Sequence, residues 1–182
     1  MGMPVSVPRY TVDDLEQFPE DGNRYELLDG ILLVTPQAAV LHQLVAGRLL
    51  VQLFTALQGD ASAHVVGPGA VVRPPGTELQ PDVLVFRGSL QAGLKWTDFT
   101  SHWLAVEILS PSSRIYDRDF KRAAYFALGV REVWLVDLDD RSVDAWTSVA
   151  THDIVRDTIR WRLPDSGRVV TVDVAALFAG MA

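Results

Sequence analysis

Apolar and polar positions mark out the elements of this chain one after another. Thr11-Val12-Asp13-Asp14-Leu15 reads as a helix start, with an acid three residues after a Thr cap, and the pattern breaks at Pro19. Arg24–Leu28 and Ile31–Val34 flank Asp29-Gly30, the dipeptide that favours a two-residue hairpin turn. Residues 38–58 carry apolar side chains at 41, 45, 49, 53 and 57, with 44, 50 and 54 beside them. That spacing predicts one long amphipathic helix, ended by Gly59. Short strands are expected at Ala63–Val66 and Ala70–Val72, around Gly67-Pro68-Gly69, with a loop over Arg73–Gly76. Asp82–Phe86 and Trp103–Leu109 are apolar runs with strand composition, the second closed by Ser110-Pro111-Ser112-Ser113. Asp117–Leu128 reads as a helix with apolar positions at 120, 123, 124 and 127 and a Gly129 stop. Glu132–Val136 and Ser142–Trp146 flank an Asp139-Asp140 turn. Strands near 153–161 and 169–172 and a short helix after Asp173 complete the order. The expected class is mixed, α/β or α+β, with the strands in one central sheet and helices packed on it.

At 182 residues the chain fits a single domain over 1–182. Its parts are an N-terminal helix and hairpin at 11–35, a core at 38–147, and C-terminal strands and a helix at 148–182. The absence of cysteine excludes a thiolate nucleophile, a disulfide scaffold, a Cys-ligated zinc and an iron–sulfur cluster. No apolar run reads as a membrane span and the first ten residues hold no signal-peptide core, so a cytoplasmic protein with no membrane partner is expected. A net charge of −7 argues against a general nucleic-acid coat protein but leaves room for one basic face. The basic residues are 14 Arg and two Lys, Lys95 and Lys121.

Nucleotide-binding glycine motifs, His-Glu-x-x-His and Gly-x-Ser-x-Gly are all absent. What stands out is acids set in apolar strands. Asp82 follows Pro81 at the head of one run, and Glu107 lies inside the other. Ionised acids rarely occupy such places unless paired or bound to a metal. On adjacent strands the two would repel unless a cation lay between them, and all-oxygen ligands suit Mg²⁺. The competing reading gives Glu107 a structural Arg partner and makes Asp82 a strand cap. Lys121 lies one turn into the next helix, four residues after Asp117. It either pairs with Asp117 or uses its removable proton on water, which Arg could not do. Glu26 shares a strand face with Leu28 and either points inward or pairs with Arg24 on the surface. His42 opens the long helix on the stripe of Val45, Leu49 and Leu53, as a core histidine or a site-wall residue. Arg114, Arg118 and Arg122 are candidates for a basic face, with Arg24 and Arg73 as further ones.

Tyr25-Glu26-Leu27-Leu28-Asp29-Gly30, His42, Pro81-Asp82-Val83, Glu107-Ile108-Leu109-Ser110-Pro111-Ser112, Asp117, Lys121, Tyr125 and Gly129–Asp137 follow one another in an order that resembles the Uma-two family. These are restriction-endonuclease-like proteins of the PD-(D/E)XK nuclease superfamily. The resemblance runs from about residue 11 to about 147. It implies a restriction-endonuclease-like core, a central mixed sheet flanked by helices. It makes Asp82 and Glu107 metal-binding acids, with the Ile108 carbonyl beside them, and Mg²⁺ or Mn²⁺ the cofactor. The lysine of the superfamily pattern, two residues after the second acid, is Leu109 here, so Lys121 takes its place as the third catalytic candidate. Glu26 becomes an accessory acid and His42 a residue of the site wall. DNA is the implied partner, with a homodimer as an expected assembly. The alternative is a nuclease-fold binding module without efficient turnover, which Leu109 and the acidic charge favour.

Overall fold

A computed structural model describes residues 9–110 and 116–181, without the side chains of Tyr116 and Asp117. Arg114 and the 111–113 part of the Ser-Pro turn lie outside the described residues.

The chain opens with α1 (Val12–Leu15), whose Asp14 carboxylate accepts both the Thr11 N–H and the Thr11 hydroxyl. β1 (Arg24–Leu28) and β2 (Ile31–Thr35) form the expected hairpin. Asp29 and Gly30 both take positive φ, at 50° and 80°, the backbone of a type I′ turn that matches strand twist. α2 (Val40–Leu57) is followed by β3 (Ala63–Val66), β4 (Val71–Arg73), β5 (Thr77–Leu79), β6 (Val83–Arg87) and β7 (Ser101–Leu109). A π-helical turn over Tyr116–Lys121 runs into α3 (Arg122–Ala127). β8 (Glu132–Asp137), β9 (Ser142–Trp146), β10 (His152–Val155), β11 (Thr158–Arg162), β12 (Val169–Asp173) and α4 (Val174–Leu177) complete the chain.

The strands form three sheets, not the single sheet the pattern suggests. The central one has six strands in the order β10-β9-β8-β7-β6-β3, mixed because β7 and β8 run parallel and every other pair antiparallel. β2-β1-β5-β4 make a second sheet and β11-β12 a third. A pattern of buried and exposed positions fixes a strand's faces but not its neighbours, and the turn at 156–157 that parts β10 from β11 carries no strong breaker. β5, with three residues, is too short to show alternation.

Both faces of the central sheet are covered, which is why β6, β7 and β8 are apolar almost throughout. On one face Val83, Val85, Val106, Ile108, Trp134 and Val136 meet Val45, Leu49 and Leu53 of α2, together with Trp161, Val172 and Leu177. On the other, Leu84, Phe86, Ala105, Leu109, Val133 and Leu135 meet Tyr125 of α3 and Val71 and Leu79 of the second sheet. Each fully buried Leu or Val of this kind contributes roughly 1.5–3 kcal/mol.

Two helices depart from expectation. In α2 the stripe of Val45, Leu49, Leu53 and Leu57 is buried with His42, but Leu41, Leu44 and Phe54 face outward. By length and composition α2 could also cross a membrane, contrary to the sequence reading. Here it is a core helix: Arg48 donates to the Leu177 and Ala179 carbonyls, and Gln52 bonds the Asp173 backbone. In the segment before β8, Phe120, Ala123 and Ala127 are exposed, and the buried positions are Lys121 and Tyr125. Polar partners inside the molecule, not apolarity, decide that face.

Candidate active site

Two strands bring the acids together. β6 and β7 are antiparallel with Val83 opposite Val106, so one step further Asp82 stands opposite Glu107. Alternation puts Glu107 on the face of Ala105 and Leu109, toward α3. Gly67-Pro68-Gly69 presses on the head of β6. A Cβ on Gly67 would lie 2.7 Å from the Asp82 carbonyl oxygen, and one on Gly69 2.8 Å from Leu84. These glycines are needed for close approach to the strand that carries Asp82, not for a phosphate loop.

Asp82 is buried and fully engaged. Its Oδ1 accepts from Arg24 Nη2 at 2.7 Å, and its Oδ2 from the Ile108 N–H at 2.8 Å, with His42 Nε2 3.0 Å away. Burial alone would raise its pKa. The His42 hydrogen bond, the Arg24 charge and the Ile108 amide outweigh that and hold the carboxyl below its ordinary range. Burial likewise opposes the Arg24 charge, but Asp82, Glu107 and Glu26 together lift the guanidinium above its usual pKa.

Glu107 accepts from the Tyr125 hydroxyl at 2.6 Å, and Lys121 Nζ lies 3.5 Å from the same Oε1. Lys121 reaches Glu26 Oε2 at 2.6 Å. The other Glu26 oxygen accepts from the Gln80 N–H at 2.8 Å, while Arg24 Nη1 donates to the Gln80 carbonyl at 2.9 Å. The Gln80 peptide is thus gripped from both sides by β1. Glu26, Glu107 and Lys121 are each nearly sealed from solvent.

The structure therefore gathers Asp82, Glu107, Lys121, Glu26 and His42 into one cluster. Glu26 points inward. Lys121 spans Glu26 and Glu107, while the side chain of Asp117, its expected partner, lies outside the described part. Ile108 meets Asp82 through its amide. Three positions escaped the sequence reading in these roles: Arg24 as partner of Asp82, Tyr125 on Glu107, and the Gln80 backbone. Tyr125 could have been found, since it stands one helical turn after Lys121; the Arg24 contact spans 58 residues and leaves no local sign.

The basic residues next to Lys121 face elsewhere. Arg118 pairs with Asp137 at 2.9 Å. Arg122 donates to the Arg118 and Val149 carbonyls and lies 3.8 Å over the Trp146 ring, whose plane stacks on His152. His152 in turn bonds Asp144, and His64 bonds the Gly88 carbonyl. Arg73 lies near the Ala127 carbonyl and Asp29, away from the acids.

Do these residues suit a metal ion? Among the described residues no group of three or more His, Cys, Asp or Glu side chains is arranged to hold one. Asp82 and Glu107 are nevertheless hard oxygen donors on facing strands, the ligand type Mg²⁺ and Mn²⁺ prefer. The cluster already draws cations: a guanidinium sits on Asp82 and an ammonium between Glu26 and Glu107. The donor types are those a divalent ion takes, and Arg24 already occupies one Asp82 oxygen.

A solved structure from Anabaena variabilis, described as a "putative nuclease belonging to DUF820", superposes with a TM-score of 0.73, covering 92% of this chain and 97% of that one. At 16% identity the likeness is one of fold. No curated protein matches the chain. The model of the Uma2 family, described as "Putative restriction endonuclease", matches residues 12–175, nearly the whole of the chain. This protein belongs to the Uma2 family.

Proposed function

We propose that this protein is a divalent-metal-dependent endonuclease that hydrolyses phosphodiester bonds in DNA. The observation that carries the reading is the cluster itself: Asp82 at the head of β6, one step beyond the Val83–Val106 pair and so beside Glu107 of β7, with the buried Lys121 Nζ 3.5 Å from Glu107. Asp82, Glu107 and the Ile108 carbonyl would hold Mg²⁺ or Mn²⁺. When bound, such an ion polarises the scissile phosphate and lowers the pKa of a bound water. The protein's side chains do the rest. Tyr125 fixes Glu107, and Glu26 fixes Lys121. Lys121 orients the attacking water or steadies the charge that develops on phosphate. His42 closes the wall behind Asp82. Arg118, with 41% of its side chain exposed beside Asp137, would meet the DNA backbone outside the cluster.

Single-turnover cleavage of a labelled duplex with Mg²⁺, Mn²⁺ and no metal tests the reading. Wild type should cut only with metal, and Asp82→Asn and Glu107→Gln should not cut. Lys121→Arg should fail nearly as badly as Lys121→Ala, since a planar guanidinium cannot replace the compact ammonium sealed between Glu26 and Glu107. The rival reading, a binding module without turnover, draws on Leu109, which lies buried in the core where the superfamily pattern has its lysine. Wild type that binds duplex yet cuts nothing with either metal would favour it.

A further inference from the structure

Arg24 is the member of the cluster that reaches open space. Its side chain is 21% exposed, against 5% for Asp82 and 3% for Lys121. It also lines a cavity of about 930 Å³ that includes Tyr25, Glu78, Gln80, Lys95 and Trp96. Asp82 does not line that cavity. From this side, an ion meets Arg24 before it meets the carboxylate.

We propose that Arg24 is the resident counter-ion of the acidic seat: it holds Asp82 in the absence of a divalent cation, yields Oδ1 to that cation, and turns into the cavity, where its guanidinium meets a substrate phosphate. The inference rests on the reading of Asp82 and Glu107 as metal ligands.

Charge and geometry support it. With Arg24 in place, a divalent ion on Asp82 would crowd two cations on one buried carboxylate; with Arg24 turned away it would not. Few contacts need break for Arg24 to turn outward. It is held by one carboxylate oxygen and one carbonyl, those of Asp82 and Gln80, and its outer side already faces the cavity. Once released it presents a planar fork of donors, the geometry that matches phosphate. Lys95 lines the same cavity, so the second of the two lysines in the chain also faces this space.

Titration calorimetry with Mn²⁺ or Mg²⁺, without nucleic acid, tests this on wild type and Arg24→Gln, with Asp82→Asn as the control that should bind neither ion. The variant loses a competitor whose charge-assisted bond is strong, so it should bind the ion about tenfold or more tighter than wild type. Phenylglyoxal labelling of wild type, resolved by peptide mass, serves even if the variant fails to fold. Labelling of Arg24 should rise several-fold when Mn²⁺ is added. Unchanged or weaker ion binding by a folded Arg24→Gln, or labelling of Arg24 indifferent to Mn²⁺ that the wild type binds, would overturn the counter-ion role and leave the metal reading standing. If neither protein binds either ion, both fall together.

Discussion

β7 buries two ionisable side chains by opposite means. His102, near its start, is almost sealed, and among the described residues neither ring nitrogen has a partner. Glu107, near its end, is equally sealed but takes a tyrosine hydroxyl and lies beside an ammonium group. The chemistry of each group accounts for the contrast. An imidazole sheds its charge at neutral pH, and burial pushes the His102 pKa down, so the ring is carried as a polar but neutral core residue. A carboxylate with an adjacent ammonium cannot be hidden so easily, and a pair of this kind is held by hydrogen bonds or not at all. One end of the strand only tolerates a polar group. The other end is organised around one.

The largest expected break in that contrast is Lys121→Met. It leaves Glu26 without its ion partner in the interior, and breaking a buried pair costs about 3–5 kcal/mol. Urea denaturation of the apo protein reads it. Next comes Tyr125→Phe, which removes one hydrogen bond to Glu107 and should cost about 1.5–3 kcal/mol by the same measurement.

A pH titration of stability separates the acid cluster, through Asp82, from His102 without touching their packing. The folded Asp82 carboxyl has its pKa lowered from an ordinary 3.8, so on acidification the unfolded chain takes up this proton first. Stability from Asp82 is therefore complete above that value and lost as pH falls through it toward the folded one. Wild type should lose melting temperature below about pH 4 more steeply than Asp82→Asn. His102 works in a higher window with the same sign. Its folded pKa lies below an ordinary 6.5, so its contribution is present above that value and lost as pH falls.

The smallest effect belongs to His102→Leu at pH 8. Replacing a buried, unpartnered imidazole by an apolar side chain should change stability by less than about 1 kcal/mol, in either direction. The same substitution should flatten the melting-temperature profile between about pH 7 and 5. A loss comparable to that of Lys121→Met would show that His102 has a partner after all and that the contrast drawn here is false.

The central strands were legible because both of their faces are buried, which writes them as apolar runs. The acids were legible for the same reason, as interruptions of those runs. The Asp-Gly turn announced its hairpin through the one backbone conformation that such a pair favours. What could not be read was assembly. The hairpin sits in its own sheet with β5 and β4, and nothing in Arg24–Leu28 says that its polar face will close over β6. The face of the segment 116–127 was misjudged because its buried residues, Lys121 and Tyr125, answer to carboxylates on other elements. Periodicity counts apolar positions and cannot see a buried ammonium.

The separate hairpin sheet has a consequence for how the molecule comes together. Glu26 and Lys121 are 95 residues apart in sequence. Their contact closes a long loop, and the entropy of that closure must be met by structure already formed between them. The strands β6 and β7 can pair before either partner arrives, but the cluster exists only when the hairpin has docked on one side and α3 on the other. Completion of the cluster thus requires both dockings. By the same logic, amide exchange at Gln80, whose N–H is held by Glu26, reports hairpin docking and not the opening of the central sheet.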